Sequence, residues 1–241
     1  SITGLACLLA VALTACAGGG EPPAPSGSPA SAPLEALKEP ANSMSVSPPL
    51  SPAPVSAEAL AAYRALLAGE PGALDRPPEG LELHQVTLPP AEELEYVLLD
   101  LDGDGGAELV VQMVAQPHQF NAVFHYGDGE LSCWQYDIME MSCRDYPLGD
   151  GAMVRQYDTG TGPNRYSNLY TVFRYLPDGE TEECASLAVH QDTQEDGTEV
   201  FTYLVDDAEV DQDTFAAEFE ELVGSRLLSL EDWTPATERP G

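Results

Sequence analysis

Nine consecutive residues hold most of the chemistry legible in this chain: Asp100-Leu101-Asp102-Gly103-Asp104-Gly105-Gly106-Ala107-Glu108. Carboxylates fall at loop positions 1, 3, 5 and 9, with glycine at position 6. Calcium takes roughly six to eight oxygen ligands at about 2.3–2.6 Å, and a short loop delivers them at alternate positions. Gly105 permits the sharp turn, and Gly106 offers a backbone carbonyl at position 7. Like charges about 4 Å apart repel by roughly 1 kcal/mol per pair in water and about 4 kcal/mol near a protein surface, so a cation among them is stabilising. The spacing designates Asp100, Asp102, Asp104, Gly106 and Glu108 as a calcium-binding set. Position 12, where a bidentate Glu would tighten binding, is Val111. The expected affinity is therefore the weak one of extracellular modules. The same residues also suit a tight Asp/Gly turn whose side chains cap their own backbone.

The flanks decide what positions the loop. Tyr96-Val97-Leu98-Leu99 and Leu109-Val110-Val111 are rich in β formers, so the loop joins strands and not the helices of an EF-hand. In that setting it resembles the calcium loops of FG-GAP and VCBS-type repeats, which usually carry Asp where this chain has Glu108. One copy is present, which argues against a β-propeller. The wider pattern resembles a group of bacterial surface lipoproteins. They share a short N-terminal helix, a DLDGDG loop between strands, a β meander and a C-terminal helix. The resemblance implies no activity. Leu98-Leu99-Asp100-Leu101-Asp102-Gly103 also resembles the first motif of haloacid-dehalogenase-type phosphatases, but Asp104 stands where those enzymes continue with Thr, and no Lys follows.

Nothing else reads as catalytic. His84, His118, His125 and His190 show no ligand spacing, and Gly160-Thr161-Gly162-Pro163 lacks the Lys of a phosphate loop. Tyr126, Trp134, Tyr136, Tyr157 and Tyr170 suggest an aromatic platform for sugars, although alternation along strands places such residues in cores or on sheet faces by default. The only lysine, Lys38, precedes the folded part, which excludes Schiff-base and lysine-clamp chemistry there. The expectation is a non-enzymatic binding or envelope protein with an unidentified glycan or protein ligand. The alternative is a surface carbohydrate- or peptide-processing enzyme using paired carboxylates.

The N-terminal residues bear on location. Gly4 to Leu13 is apolar but shorter than the roughly 20 residues that span a bilayer. It fits the h-region of a signal peptide whose start is truncated. Leu13-Thr14-Ala15-Cys16 resembles the lipobox of bacterial lipoproteins. The resemblance implies removal of residues 1–15, lipidation of Cys16 and a membrane partner held through that lipid, on the extracytoplasmic face. Two acyl chains suffice for stable anchoring, where one does not. Residues 17–55, rich in Pro, Ala and Ser, form a disordered linker with extended character.

The chain has 41 acidic and 9 basic residues, a net charge of −32. Such a field repels nucleic acid and recruits cations, and it favours a soluble monomer. Cys7 and Cys16 belong to the leader and the anchor, leaving Cys133, Cys143 and Cys184. Cys133 and Cys143 are spaced for a hairpin-loop disulfide, but buried thiols are the preferred reading.

The folded domain is expected over 56–234, followed by a disordered tail over 235–241. Ser56 caps a helix over 57–68, with Leu60, Tyr63, Leu66 and Leu67 on one face. Strands are expected at 81–87, 95–99, 108–115, 122–126, 131–136, 152–157, 169–176, 183–190 and 199–205. Asp-Gly pairs at 128, 150, 178 and 196 punctuate them as hairpin turns. Asp211 caps a second helix over 214–228, and Trp233 packs back on the sheet. The fold class is α+β: an antiparallel, curved β meander with one N-terminal and one C-terminal helix.

Overall fold

A computed structural model of the chain describes residues 53–240, apart from 116, 118, 119 and 139–141. The expected leader over 1–15, Cys16, Lys38, His118 and the linker up to residue 52 lie outside the described residues.

Helix α1 spans Ala57–Leu67, and Ser56 caps it by accepting from the Ala59 N–H at 3.0 Å. Strands β1 (Leu94–Leu99), β2 (Glu108–Met113), β3 (Phe120–Gly127) and β4 (Glu130–Ile138) form an antiparallel meander. A second sheet follows: β5 (Cys143–Pro147), β6 (Met153–Gly162), β7 (Arg165–Tyr175), β8 (Thr181–Thr193), β9 (Glu199–Val205) and β10 (Ala208–Val210). Helix α2 (Gln212–Leu222) is capped by Asp211, which accepts from the Thr214 N–H. Strand β11 (Thr234–Pro235) returns to the free edge of β1, so the first sheet runs β11-β1-β2-β3-β4. The α+β class stands, with the single meander resolved into two antiparallel sheets.

Strand alternation sorts the first sheet's residues between two cores. Leu94, Tyr96, Leu109, Val111, Phe120, Ala122, Phe124 and Leu131 pack with Tyr63, Leu66 and Leu67 of α1. Each fully buried large side chain contributes roughly 1.5–3 kcal/mol. From the opposite face Val97, Leu99, Val110 and Val123 meet Met153, Phe173 and Tyr175 of the second sheet. The far face of that second sheet carries α2, with Tyr170 edge-on to Phe219 at 5.1 Å and Tyr203 at 5.4 Å from Phe215.

Several local expectations are corrected. Residues 81–87 form no strand; a 3-10 turn occupies Leu83–Gln85, closed by the Gln85 side chain accepting from the Glu82 N–H. Helix α2 stops at Leu222, because Gly224 opens a 3-10 turn, Gly224–Arg226. Strands β5, β10 and β11 are additions; each is short and polar or proline-bearing, so alternation did not mark them. In the segment expected as a tail, Ala236 and Glu238 make contacts with β1. Ala236 is 1 % exposed and donates its N–H to Leu94 O, and Tyr96 Oη donates to Glu238 O. No disulfide joins Cys133, Cys143 and Cys184; Cys133 is buried, while Cys184 is exposed. Trp233 packs against the inter-sheet core as expected.

Candidate metal centre

The acidic loop is the hairpin connection between β1 and β2. Leu99 pairs with Glu108, and Leu101 plugs the inter-sheet core at 1 % exposure. Tyr63 Oη of α1 donates to Ala107 O at 2.8 Å, in a buried bond that holds the end of the loop. On its other side the loop rests on the β5–β6 turn. A Cβ at Gly151, whose φ is +83°, would run into the Asp100 carbonyl oxygen. Core, helix and turn thus fix the loop from three directions.

Within the loop, side-chain oxygens and backbone N–H groups interlock. Asp100 accepts from Gly103 at 2.7 Å through Oδ1 and from Gly105 at 3.1 Å through Oδ2. Asp102 Oδ1 accepts from Asp104, and Asp104 Oδ1 accepts from Gly106 at 2.6 Å. Gly103 and Gly105 have φ of +78° and +88°, which a side chain would strain. These are the self-capping contacts of an Asp/Gly turn, and they leave lone pairs over, since each carboxylate oxygen accepts more than one hydrogen bond or ligand.

Asp100, Asp102 and Asp104 bring carboxylate oxygens within 4.8 Å of one another, so this cluster can hold a metal ion. Asp102 Oδ2 is buried and has no hydrogen-bond partner. Leaving such an atom bare costs about 1–3 kcal/mol or more. Burial raises the pKa of Asp102 above the ordinary carboxylate value, and the charges of Asp104 and Asp100 add to that, against the Asp104 N–H bond and His125. A bound cation would relieve each of these penalties, so the residues present fit a metal.

Glu108 does not join Asp100 and Asp104; it forms a second group with Asp102 and His125, their ligand atoms also within 4.8 Å. Its side chain is 2 % exposed. Oε2 accepts from the Leu101 N–H at 2.8 Å, and Oε1 lies 2.9 Å from His125 Nδ1. Burial raises the Glu108 pKa, which those two hydrogen bonds oppose. For His125, burial would lower the pKa, but the Glu108 hydrogen bond and the charges of Glu108, Asp102 and Asp104 outweigh it and raise it. Gly106 supplies no side chain, and a Cβ there would sit 3.0 Å from Asp104 Oδ1.

His125 was not distinguished from the other histidines by spacing. It arrives through strand register. Leu109 pairs with Phe124, so Glu108 and His125 occupy the next cross-strand position of β2 and β3. Trp134 stacks on the imidazole at 4.3 Å, Tyr175 stacks on Trp134 at 5.1 Å, and Gly179 of the β7–β8 turn leaves room for the indole. The other histidines among the described residues lie elsewhere: His84 against Glu82, and His190 beside Ser167 at 2.7 Å. The aromatic platform does not form. Trp134 is partly buried and stacked between His125 and Tyr175, Tyr170 is buried, Tyr126 and Tyr136 pack against the α1 core, and Tyr157 stands on the other sheet. The named strands pair antiparallel throughout, unlike the parallel sheet of haloacid-dehalogenase-type phosphatases. Among the described residues no helix is long and apolar enough to cross a membrane.

No family model, no curated protein and no solved structure matches this chain.

Proposed function

We propose that the chain is a non-enzymatic lipoprotein, anchored through Cys16 on the extracytoplasmic face of a membrane, whose β domain is stapled by calcium. The observation that carries the metal reading is the buried, unpartnered Oδ2 of Asp102 beside the carboxylates of Asp100 and Asp104. Asp100, Asp102 and Asp104 would hold the ion by side-chain oxygens and Gly106 by its carbonyl. Oxygen-only ligation suits a hard cation. Calcium would neutralise the clustered charge and tie the β1–β2 hairpin, leaving the rest of the surface for a ligand. The lipobox resemblance of Leu13-Thr14-Ala15-Cys16 supports the anchor.

Thermal melting of the full chain tests the metal. Millimolar calcium raises the melting temperature relative to chelator, and Asp102→Ala abolishes the rise. An unchanged melting temperature at millimolar calcium overturns the reading. For the anchor, Cys16→Ser moves the protein from the membrane fraction to the soluble one; retention in the membrane overturns it.

A further inference from the structure

We propose a second, inner metal centre formed by His125 Nδ1, Glu108 and Asp102 Oδ2, which takes a borderline divalent transition ion, zinc, and not calcium. It shares Asp102 with the outer trio, and the Oδ2 of that residue would bridge the two ions where both are bound; zinc binding through His125 and Glu108 does not require calcium in the outer trio.

The donor set points to this class of ion. One imidazole nitrogen and two carboxylates is a mixed nitrogen–oxygen set, which zinc accepts and calcium disfavours. All three residues bring donor atoms within 4.8 Å of one another. Asp102 Oδ2 is a buried oxygen without a hydrogen-bond partner, so its lone pairs are available to a cation in this group as well as in the outer trio. Glu108 is almost fully buried, at 2 % exposure, and its second oxygen is tied to the Leu101 N–H, which fixes the carboxylate plane.

The imidazole is held before any ion arrives. Trp134 stacks on it at 4.3 Å and 11° between planes. A Cβ at position 127 would lie 2.5 Å from Nε2, so Gly127 gives the ring its space. Ligands locked by neighbours in this way lose little freedom on binding. On binding, zinc replaces the proton shared by His125 Nδ1 and Glu108 Oε1; that proton leaves to solvent. Three protein ligands leave a fourth position for water.

Calorimetric titration of zinc into the full chain at saturating calcium tests the proposal, with the quenching or shift of Trp134 emission as a second readout. A Trp233→Phe background isolates Trp134, since the chain has two tryptophans. Zinc binds at one site and perturbs Trp134. His125→Gln weakens zinc at least about tenfold and leaves the calcium response intact. Asp100→Asn does the reverse. Glu108→Gln, with far-ultraviolet circular dichroism as the folding control, repeats the loss of zinc. Unchanged zinc affinity in folded His125→Gln, or zinc binding without effect on Trp134, overturns the inner centre. Loss of the calcium response with zinc binding intact overturns only the outer one.

Discussion

Gly151 lies directly beneath Asp100: the turn between β5 and β6 abuts the backbone carbonyl of the first acidic residue so closely that no Cβ fits between them. The second sheet therefore supports the loop at the end of the first. A Gly151→Ala substitution strains a φ of +83° and also collides with backbone. Gly197, at φ +82° with nothing within 4 Å, provides the control. The conformational cost alone is roughly 1–2 kcal/mol. Urea unfolding should show Gly151→Ala losing clearly more stability than Gly197→Ala. Equal losses would mean that the turn does not support the loop.

Tyr63→Phe removes the hydroxyl that satisfies the buried carbonyl of Ala107. The carbonyl then has no donor at a site closed to water, at a cost of about 1–3 kcal/mol. Denaturant unfolding measures it. The calcium-dependent rise in melting temperature should also shrink, because the end of the loop is no longer held.

Asp150 joins the same turn to the segment after α2. Burial raises its pKa, but hydrogen bonds from Arg226 and the Ala152 N–H, with the charge of Arg174, outweigh that and lower it. A lowered folded pKa contributes stability above the unfolded value of about 3.9, and that stability is lost as pH falls through the folded value. Asp150→Asn should therefore flatten the acid limb of stability below about pH 4. Urea midpoints from pH 6 to pH 2.5 test this, and parallel acid limbs for the two proteins would contradict it.

Between the sheets, Asp145 is buried and accepts from Arg155 at 2.6 Å and from Gln135 at 2.9 Å. Gln135 in turn donates to Asn121 and accepts from Tyr175 Oη. Removing one partner of a buried pair costs about 3–5 kcal/mol. Arg155 is half exposed, so Arg155→Met should fall at or below the lower end of that range. The double variant Asp145→Asn, Arg155→Met should recover part of the loss. A strictly additive double variant would show that the pair is uncoupled.

The thiols differ by burial. That of Cys133 is pushed up to about 12 by desolvation, whereas Cys184 is exposed. Thiolate is the reactive form. Alkylation followed by peptide mass analysis should label Cys184 in the native protein and Cys133 only after unfolding.

How much of this was legible varies with the range of the interaction. Capping at Ser56 and Asp211 and the Asp-Gly turns are local, and the sequence shows them. The turn at Asp206-Asp207, with φ of +47° and +63°, lacks the glycine that marks such turns. Strand β11 and the contacts of Ala236 and Glu238 depend on β1, far away in the chain.

At the candidate site the division is the same. The crowding of Asp100, Asp102 and Asp104 in one loop between strands is already present in the order of residues, because alternate spacing and glycines are local properties. The direction of the Glu108 side chain and its meeting with His125 arise from long-range pairing. That meeting depends on the β2–β3 register, and a one-residue slip would turn His125 to the other face. Packing of the loop beside Glu108 and His125 then left Asp102 Oδ2 without a hydrogen-bond partner, a consequence that no spacing of residues contains.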